Sequence, residues 1–294
     1  MLKRTITSIF FVIVVLAFFL LRQLVHVRLF DLFIYVIALM CAYEFLRALK
    51  DGVTIQQKVL SYIYTIIIIP CISFVYDYAL TFTILYIALV FLFSLFHTKS
   101  SSIDKLSKTI FSMFYPTGFF IAFTYINAYS RIFPQVDDYF SLIILTLIFG
   151  CASLTDVMAY LVGSLVKGKK LCPSISPNKT ISGAIGGLVG GTACALIVYY
   201  AFQGFGYDLF SYLSPKIFGS ATPFLKGLMV AVIGLVFAIV GEVGDLAESL
   251  IKRQLGVKDM GNLLPGHGGM LDRFDSTVFI SLLAHILFSF LIIR

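Results

Sequence analysis

The residues of this 294-residue chain that are best suited to chemistry are concentrated in residues 249–275. This stretch holds four Lys or Arg, three Asp, one His and a Pro-Gly-His-Gly-Gly turn, and it lies between two long apolar segments. Charges beside apolar helices are costly unless they bind something of opposite charge. Phosphate and a metal cation are the ligands that such a mixture would bind, so the stretch predicts chemistry at a membrane surface.

The helix that leads into this stretch carries its polar residues on one side. At 100° per residue, five of them fall within about one 100° arc: Glu242, Asp245, Ser249, Lys252 and Arg253. Residues four apart can interact along a helix, so an ordinary salt-bridged helix would explain the residues nearer the end of this segment. Glu242 and Asp245, however, lie in an apolar run with no nearer cation. Their oxygens suit a hard divalent cation.

Residues 264–275 combine a tight turn with the start of a helix. The backbone N–H groups of a turn rich in proline and glycine can face an anion. Asp272 and Asp275 then stand one helical turn apart, where the positive end of the helix also favours phosphate. We therefore expect phosphate at the turn, and a cation held by Asp272 together with Asp245 in a shared pocket.

A third segment, residues 156–183, supplies a basic loop between two apolar runs. One face of its helix carries Asp156, Tyr160, Gly163 and Lys167, and a Ser-Pro-Asn-Lys-Thr turn follows at residues 176–180. Part of it approaches the Walker A pattern but lacks the final Ser or Thr and follows a helix, so we reject that motif. We expect this hydroxyl-rich loop to bind phosphate; lysines that only orient the protein in the membrane are the alternative.

Composition predicts the elements that position these residues. The chain is 60% apolar and 13% charged, with a mean hydropathy of +0.99, far from the composition of soluble proteins. Nine apolar runs approach or exceed the length that crosses a bilayer as a helix, at residues 6–21, 29–48, 59–76, 79–96, 109–129, 139–162, 183–203, 224–247 and 277–293. We predict an all-α polytopic membrane protein with about nine transmembrane helices.

The same pattern leaves no room for a separate soluble domain. We predict a single integral membrane domain, residues 1–294, with an N-terminal helical half at 1–150 and a catalytic half at 151–294. Glycines concentrate in the catalytic half at residues 182–191, where GxxxG spacing allows helices to approach closely. The five cysteines stand singly, without CxxC or HExxH patterns, so neither a disulfide framework nor a zinc site is expected.

Lys and Arg are unevenly distributed among the predicted loops. If the N-terminus is cytoplasmic, 16 of the 22 Lys and Arg residues lie on the cytoplasmic side, and so does the polar pocket. The formal charge of +7 then serves orientation and attraction to anionic lipid headgroups. We expect a lipid bilayer and no nucleic acid as the partner of these charges.

The start of the chain resembles a signal peptide, with Lys3 and Arg4 before an apolar run that ends at Leu21. No small-residue cleavage site follows, so we expect an uncleaved first helix. The short N-terminus favours a bacterial plasma (inner) membrane over a eukaryotic reticulum, with the active site facing the cytoplasm.

One acidic residue of the N-terminal half stands out because it lies inside an apolar run. Glu44 occurs near the predicted cytoplasmic end of the second span. An ionisable residue there is costly and usually points inward. Pairing with Arg47, extension of the side chain to the surface, and a functional role are all left open.

At these motifs the chain resembles the phosphatidate cytidylyltransferase (CDP-diacylglycerol synthase) family. The family signature is matched at Ser249, Lys252, Arg253, Lys258, Asp259, Gly261, Pro265, His267, Gly268, Gly269, Asp272, Arg273 and Asp275. A second family motif is matched by Asp156, Tyr160, Gly163 and residues 176–180. The family commonly has Trp-Glu-Gly after Lys-Thr, whereas this chain has Ile181-Ser182-Gly183. The N-terminal half matches only in hydropathy and length.

The resemblance implies that CTP and phosphatidic acid give CDP-diacylglycerol and pyrophosphate, with Mg²⁺. It implies that Asp245 and Asp272 hold the cation, with Glu242 and Asp156 as supporting groups. Phosphate charge would be neutralised by Lys252, Arg253, Lys258 and Arg273. The remaining candidate substrate contacts are Ser176, Lys179, Thr180, Ser249, Asp259, Gly268, Gly269, Asp275 and Tyr160. A second cation and a homodimer are left open.

His267 is a further catalytic candidate with two alternative roles. It could act as a general base, but a lipid phosphate is already largely ionised at pH 7 and gains little from one. A phosphate contact, or a structural place in the turn, is the favoured role.

Two other functions compete with this interpretation. A CTP-dependent kinase of a lipid alcohol would share a membrane site for CTP but would release CDP rather than pyrophosphate. A transporter or channel would also place carboxylates and glycines within its helices. The polar residues cluster towards one predicted face rather than through the bilayer midplane, which argues against transport.

Overall fold

The computed structural model of the protein describes residues 2–97, 102–213, 218, 220–264 and 268–293. For residues 2–8 and 293 it describes the backbone alone. Of the sequence-predicted site residues, His267 lies outside the described residues, as does Pro265 of the signature.

The chain divides into two compact units. The first unit comprises Met1–Asn127 and Gln254–Phe274, and the second comprises Ala128–Arg253 and Asp275–Arg294. The signature stretch, residues 249–275, therefore contributes to both units. The single membrane domain predicted from the sequence, with its two halves, stays a prediction.

The first unit consists of helices joined by short turns. They are α1 (Leu2–Leu24), α2 (Arg28–Ala48), α3 (Ile55–Val75), α4 (Ala79–Phe96), α5 (Ile103–Ser112) and α6 (Phe119–Asn127). Thr54 begins α3 with a capping box in which its side chain and that of Gln57 satisfy each other's backbone N–H groups. A π-helical segment at Met113–Gly118, which contains Pro116, separates α5 from α6, because proline interrupts the helical hydrogen bonds.

A buried polar network joins four helices of the first unit, α1, α2, α3 and α6. Asp31 on α2 is 4% exposed and accepts hydrogen bonds from the Ser73 hydroxyl at 2.6 Å and from the Asn127 amide at 2.7 Å. The side-chain oxygen Oδ1 of Asn127 in turn accepts a hydrogen bond from Nε of Arg22 at 2.7 Å. These donors satisfy a carboxylate that would otherwise be costly to bury.

The second unit is built on long helices and one hairpin. Its elements are α7 (Tyr129–Ile132), α8 (Asp138–Val166), β1 (Lys170–Cys172), β2 (Ser176–Thr180), α9 (Ile181–Gly204) and α10 (Pro223–Gln254). The last helix, α11 (Leu271–Ile293), begins in the first unit and belongs to the second from Asp275 onward. The strands β1 and β2 pair antiparallel.

This is an all-α polytopic membrane protein apart from the short hairpin. Seven helical segments among the described residues are long and apolar enough to cross a membrane. One of them, Ile55–Phe96, covers two of the predicted spans because only a tight turn at Tyr76–Tyr78 separates α3 from α4. A helix overlaps each of the nine predicted spans. The number that crosses the bilayer, and the orientation, stay predictions.

Helix α9 packs closely against α8 and α10 through its glycine face. A Cβ atom at Gly186 would lie 2.5 Å from Cβ of Val162 on α8, and one at Gly190 would lie 2.6 Å from Cγ of Met158. On the other side, a Cβ at Gly191 would lie 2.7 Å from Cβ of Ala238 on α10. Side chains of any size are therefore excluded from this face, as expected from the GxxxG spacing.

This packing predicts that one glycine of α9 is far more sensitive to substitution than another. Gly190→Val should lower the free energy of unfolding by about 2 kcal/mol, because the new side chain meets Met158 and the carbonyl oxygen of Leu154. Gly204→Val is the matched control, since no atom of the described residues lies within 4 Å of a Cβ at that position. Unfolding followed in detergent micelles should show a drop for the first variant only. Equal effects would contradict the close packing of α8 and α9.

Candidate active site

The hairpin between α8 and α9 carries one of the basic residues predicted to bind phosphate. Thr180 ends β2 and caps α9, because its hydroxyl accepts a hydrogen bond from Gly183 N–H at 3.1 Å. The Ser182 hydroxyl donates to the carbonyl oxygen of Lys167, just past the end of α8. Ser182, where the family commonly has Glu, thus fastens the start of α9 to the end of α8. These contacts fix the strand that presents Lys179.

Lys179 forms an ion pair with Asp245 of α10. The ammonium nitrogen lies 2.7 Å from Oδ2 of Asp245, and about a quarter of each side chain is exposed. The Ser249 hydroxyl lies 3.4 Å from Oδ1 of the same carboxylate. The sequence predicted a phosphate-binding role for Lys179 and a cation-binding role for Asp245, and the structure brings the two side chains into direct contact.

Four carboxylates of the second unit interact with one another around this ion pair. Glu242 lies one turn before Asp245 on α10, within electrostatic reach of Asp156 on α8, of Asp245 and of Lys179. Asp275 on α11 is within electrostatic reach of Asp156, Asp245 and Lys252. We call Asp156, Glu242, Asp245 and Asp275 the carboxylate cluster. Lys179 and Lys252 lie within electrostatic reach of members of this cluster, and a grouping of four carboxylates favours a bound cation.

A cavity of about 440 Å³ opens at this cluster. Its polar lining includes Asp156, Glu242, Asp245, Lys179 and Asn178, and its apolar lining includes Tyr160, Leu171 and Ala184. Tyr160 and Asp156 are exposed there, and Lys179 is half-buried. The cavity lining therefore combines charged and apolar side chains, which suits a ligand with phosphate groups and a lipid portion.

Glu242 lacks a hydrogen-bond partner for one buried oxygen. Its Oε1 atom is inaccessible and accepts no hydrogen bond from the described residues. A Cβ atom at Gly187 would lie 2.5 Å from this oxygen, so only glycine leaves room for it. An unsatisfied buried carboxylate oxygen beside other carboxylates fits a hard cation with oxygen ligands. Among the described residues, however, no three acidic, histidine or cysteine side chains are already arranged around a common point as metal ligands.

The end of α10 places two further basic residues. Lys252 is 9% exposed and lies 3.4 Å from Oε1 of the buried Glu248. Arg253 is exposed, and its Nε donates to the carbonyl oxygen of Ile175 in the hairpin connection at 3.3 Å. Ser176 follows directly as the first residue of β2. Lys252 thus neutralises buried acidic groups, whereas Arg253 lies at the surface beside the hairpin.

The remaining predicted residues lie in the first unit, around the turn before α11. Both oxygens of Asp272 accept from Met260 N–H, and Oδ2 also accepts from Gly269 N–H at 2.8 Å. Gly268 has a φ of +80°, which favours glycine. Lys258, Asp259 and Arg273 are exposed. The Asp272 carboxylate therefore fixes the turn by accepting hydrogen bonds from backbone N–H groups on either side of it.

Sequence reasoning overlooked two features of this region. Asn178 lines the cavity beside Lys179, although only its place inside the Ser-Pro-Asn-Lys-Thr turn could have drawn attention to it. Asp275 was predicted as a substrate contact, and the structure adds it to the carboxylate cluster. The i, i+3 spacing of Asp272 and Asp275 could not reveal which of them faces the other carboxylates. The metal-binding role predicted for Asp272 stays a prediction.

Comparisons with known proteins agree with the motifs. The phosphatidate cytidylyltransferase of Brucella abortus (biovar 1, strain 9-941) is 41% identical over 142 residues, which is 48% of this chain and 45% of that protein. The phosphatidate cytidylyltransferase of Staphylococcus aureus (strain COL) is 44% identical over 137 residues, which is 46% of this chain and 44% of that protein. In these comparisons the chain spans less than half the length of the curated relatives that it matches.

A match to a family as a whole extends much further along the chain. The model of the cytidylyltransferase family matches residues 2–291. That range includes both motifs, the carboxylate cluster and the N-terminal helices that matched only in hydropathy. The chain therefore belongs to the cytidylyltransferase family.

Proposed function

We propose that this protein has phosphatidate cytidylyltransferase activity, transferring CMP from CTP to phosphatidic acid and releasing pyrophosphate. The Brucella and Staphylococcus relatives carry the name of that activity. The observation that carries the proposal is the cavity of about 440 Å³, whose lining combines Asp156, Glu242, Asp245 and Lys179 with apolar side chains. The charged side chains suit a nucleoside triphosphate, and the apolar side chains suit the acyl chains of a lipid.

The reaction requires positioning and charge neutralisation more than covalent chemistry by the protein. A phosphate oxygen of phosphatidic acid attacks the α-phosphorus of CTP, a new P–O bond forms, and the bond to the β-phosphate oxygen breaks. Pyrophosphate leaves with the electron pair of that bond. The attacking oxygen is already ionised at neutral pH, so no protein nucleophile or strong general base is needed. His267, if it contacts the phosphates, is then a hydrogen-bond donor.

The basic residues supply the positive charge that this reaction needs. Lys179 is well suited to a phosphate group because it lies in the cavity wall and is only a quarter exposed. A phosphate would compete with Asp245 for its ammonium group. Arg253 and the exposed Lys258 and Arg273 are our further candidates for the triphosphate or the lipid phosphate. Neutralising charge that builds up in the transition state is usually the largest catalytic contribution.

The acidic residues are proposed to bind cations. Glu242 and Asp245 offer oxygen ligands, and the unsatisfied Oε1 of Glu242 is a further reason to expect a cation there. Mg²⁺, when bound, would neutralise the phosphates and polarise the α-phosphoryl group. Asp272 remains a candidate ligand, and a second cation stays open. We further propose that the site faces the cytoplasm of a bacterial cell, and that the chain can form a homodimer.

The proposed activity is tested with CTP labelled at the α-phosphorus. Purified protein in detergent, given Mg²⁺ and phosphatidic acid, should move the label into lipid and release one pyrophosphate for each labelled lipid. Label that stays in CDP while phosphate enters a lipid alcohol would identify a CTP-dependent kinase instead. Unchanged CTP would contradict the proposed function.

Two ion pairs of the second unit allow a matched test of the site. Lys179–Asp245 and Lys226–Asp208 have nearly equal lengths, 2.7 and 2.6 Å, and similar exposure. Asp245→Asn should reduce kcat at least about 100-fold, the effect of removing one important electrostatic group. Asp208→Asn should change stability by a similar amount and leave kcat within about twofold, because it lies outside the cavity lining. Equal losses of kcat would contradict a catalytic role for Asp245.

A further inference from the structure

The structure supports neither of the two simple explanations for Glu44, which were pairing with Arg47 and extension of the side chain to the surface. Its side chain lies on the last turns of α2 and is 1% exposed, so it does not extend to the surface. Arg47 is exposed and forms no ion pair with it among the described residues. A carboxylate buried this deeply needs other partners.

Those partners are backbone N–H groups of the signature stretch. Oε2 of Glu44 accepts a hydrogen bond from Leu271 N–H at 3.0 Å, across 227 residues of sequence. The N–H groups of Met270 and Leu263 lie near enough to favour the charged carboxylate electrostatically, although Oε1 accepts no hydrogen bond from the described residues. Leu271 is the first residue of α11, where N–H groups have no partner within the helix and a negative charge is favourable. Glu44 therefore caps a helix from a distant part of the chain.

The glycines of the signature bring this stretch into contact with Glu44. A Cβ atom at Gly261 would lie 2.2 Å from Oε1 of Glu44, and its three nearest neighbours would all be atoms of Glu44. A Cβ at Gly269 would lie 2.5 Å from Oε2. Only glycine fits at these two positions, because the carboxylate lies against the backbone there. Their presence in the signature has a reason other than contact with phosphate.

A second carboxylate holds the same stretch from its other end. Asp272 accepts from Met260 N–H at 3.0 Å and from Gly269 N–H at 2.8 Å. Glu44 and Asp272 together therefore bind backbone groups on both sides of the turn that contains Gly268. Lys258 and Asp259, which are exposed, directly precede Met260. Loss of either carboxylate would release the segment that carries these residues.

We propose that Glu44 is a positioning residue, which holds residues 260–264 and 268–271 in the conformation that binds the phosphates of CTP. The proposal rests on the proposed function for the identity of the ligand. It gives helix α2 a direct part in placing the signature residues of its own unit. Glu44 itself contacts no substrate in this proposal, and it acts through the turn.

The first test is the exchange of backbone amide hydrogens, which does not depend on any activity. Glu44→Gln keeps the size of the side chain but removes its negative charge and replaces one of its two acceptor oxygens with an NH₂ donor. Peptides that contain residues 260–271 should then exchange at least about tenfold faster, as expected when a hydrogen bond to a charged group is lost. Asp31→Asn is the matched control, because it changes a buried carboxylate of the same helix that binds Ser73 and Asn127. It should leave exchange at residues 260–271 unchanged.

The same variants separate positioning from general stability in kinetic measurements. For Glu44→Gln the KM for CTP should rise about tenfold, whereas Asp31→Asn should lower thermal stability and leave this KM unchanged. If Glu44→Gln exchanges and binds CTP as the wild type does, the proposal is wrong. If the wild type has no cytidylyl transfer but exchange responds as described, the proposed function fails and the structural role of Glu44 stands.

A double substitution tests the contact itself. Gly261→Ala alone should be harmful because the three atoms nearest to its methyl group all belong to Glu44, and Gly261 has no positive φ that would forbid alanine. In the Glu44→Ala background the same change should cost nothing further, since the space is then open. Additive effects on amide exchange at residues 260–271 would overturn the proposal, even if the single variants are poorly active.

Discussion

The structure depends on one constraint, which is that a carboxylate buried among apolar helices must meet a cation or hydrogen-bond donors. The acidic groups meet it in different ways. Asp31 is satisfied by side-chain donors, and one oxygen of Glu44 by a backbone N–H group. Asp245 and Glu248 are paired with lysines. Glu242 keeps one unsatisfied oxygen, and it lines the cavity. Oε1 of Glu44 also accepts no hydrogen bond from the described residues, but of these two groups Glu242 is the one that lines the cavity, where a ligand can supply its missing partner.

The glycines of the second unit follow from the same constraint. Lys179 reaches Asp245 from the second strand of the hairpin. The end of this strand is fixed to α9 by the Thr180 cap. Gly163 and Gly183 allow α8 and α9 to approach within van der Waals contact at that point, and Gly187 leaves space for the Glu242 carboxylate. A larger residue at any of these positions would separate the helices or displace a charged group. The glycine-rich run is thus part of the electrostatics of the site as well as of its packing.

Much of the helical arrangement could be predicted from hydropathy, because long apolar runs have few alternatives to helices in a membrane. The acidic face of α10 could be predicted too, since the spacing of Glu242 and Asp245 depends only on helix geometry. The hairpin at Lys170–Cys172 and Ser176–Thr180 was not expected. Its polar residues show no alternation of apolar side chains, and its position depends on contacts with α8 and α9.

Long-range contacts were the least predictable part. Glu44 was recognised as unusual, but no local pattern relates it to Leu271, 227 residues away. Asp272 and Asp275 differ by three positions, yet one binds backbone amides in the first unit and the other interacts with Asp245 in the second. Helical spacing places residues on a face, but the partner of that face is decided by tertiary packing.

The most direct test of the site is whether the carboxylate cluster binds a divalent cation. Binding of Mn²⁺ to the purified protein can be followed by electron paramagnetic resonance, in the presence of CTP. We expect wild-type protein and Asp208→Asn to bind Mn²⁺ equally well, and Asp245→Asn and Glu242→Gln to bind it at least about tenfold more weakly. Undiminished binding by both Asp245→Asn and Glu242→Gln would contradict a cation site at these carboxylates.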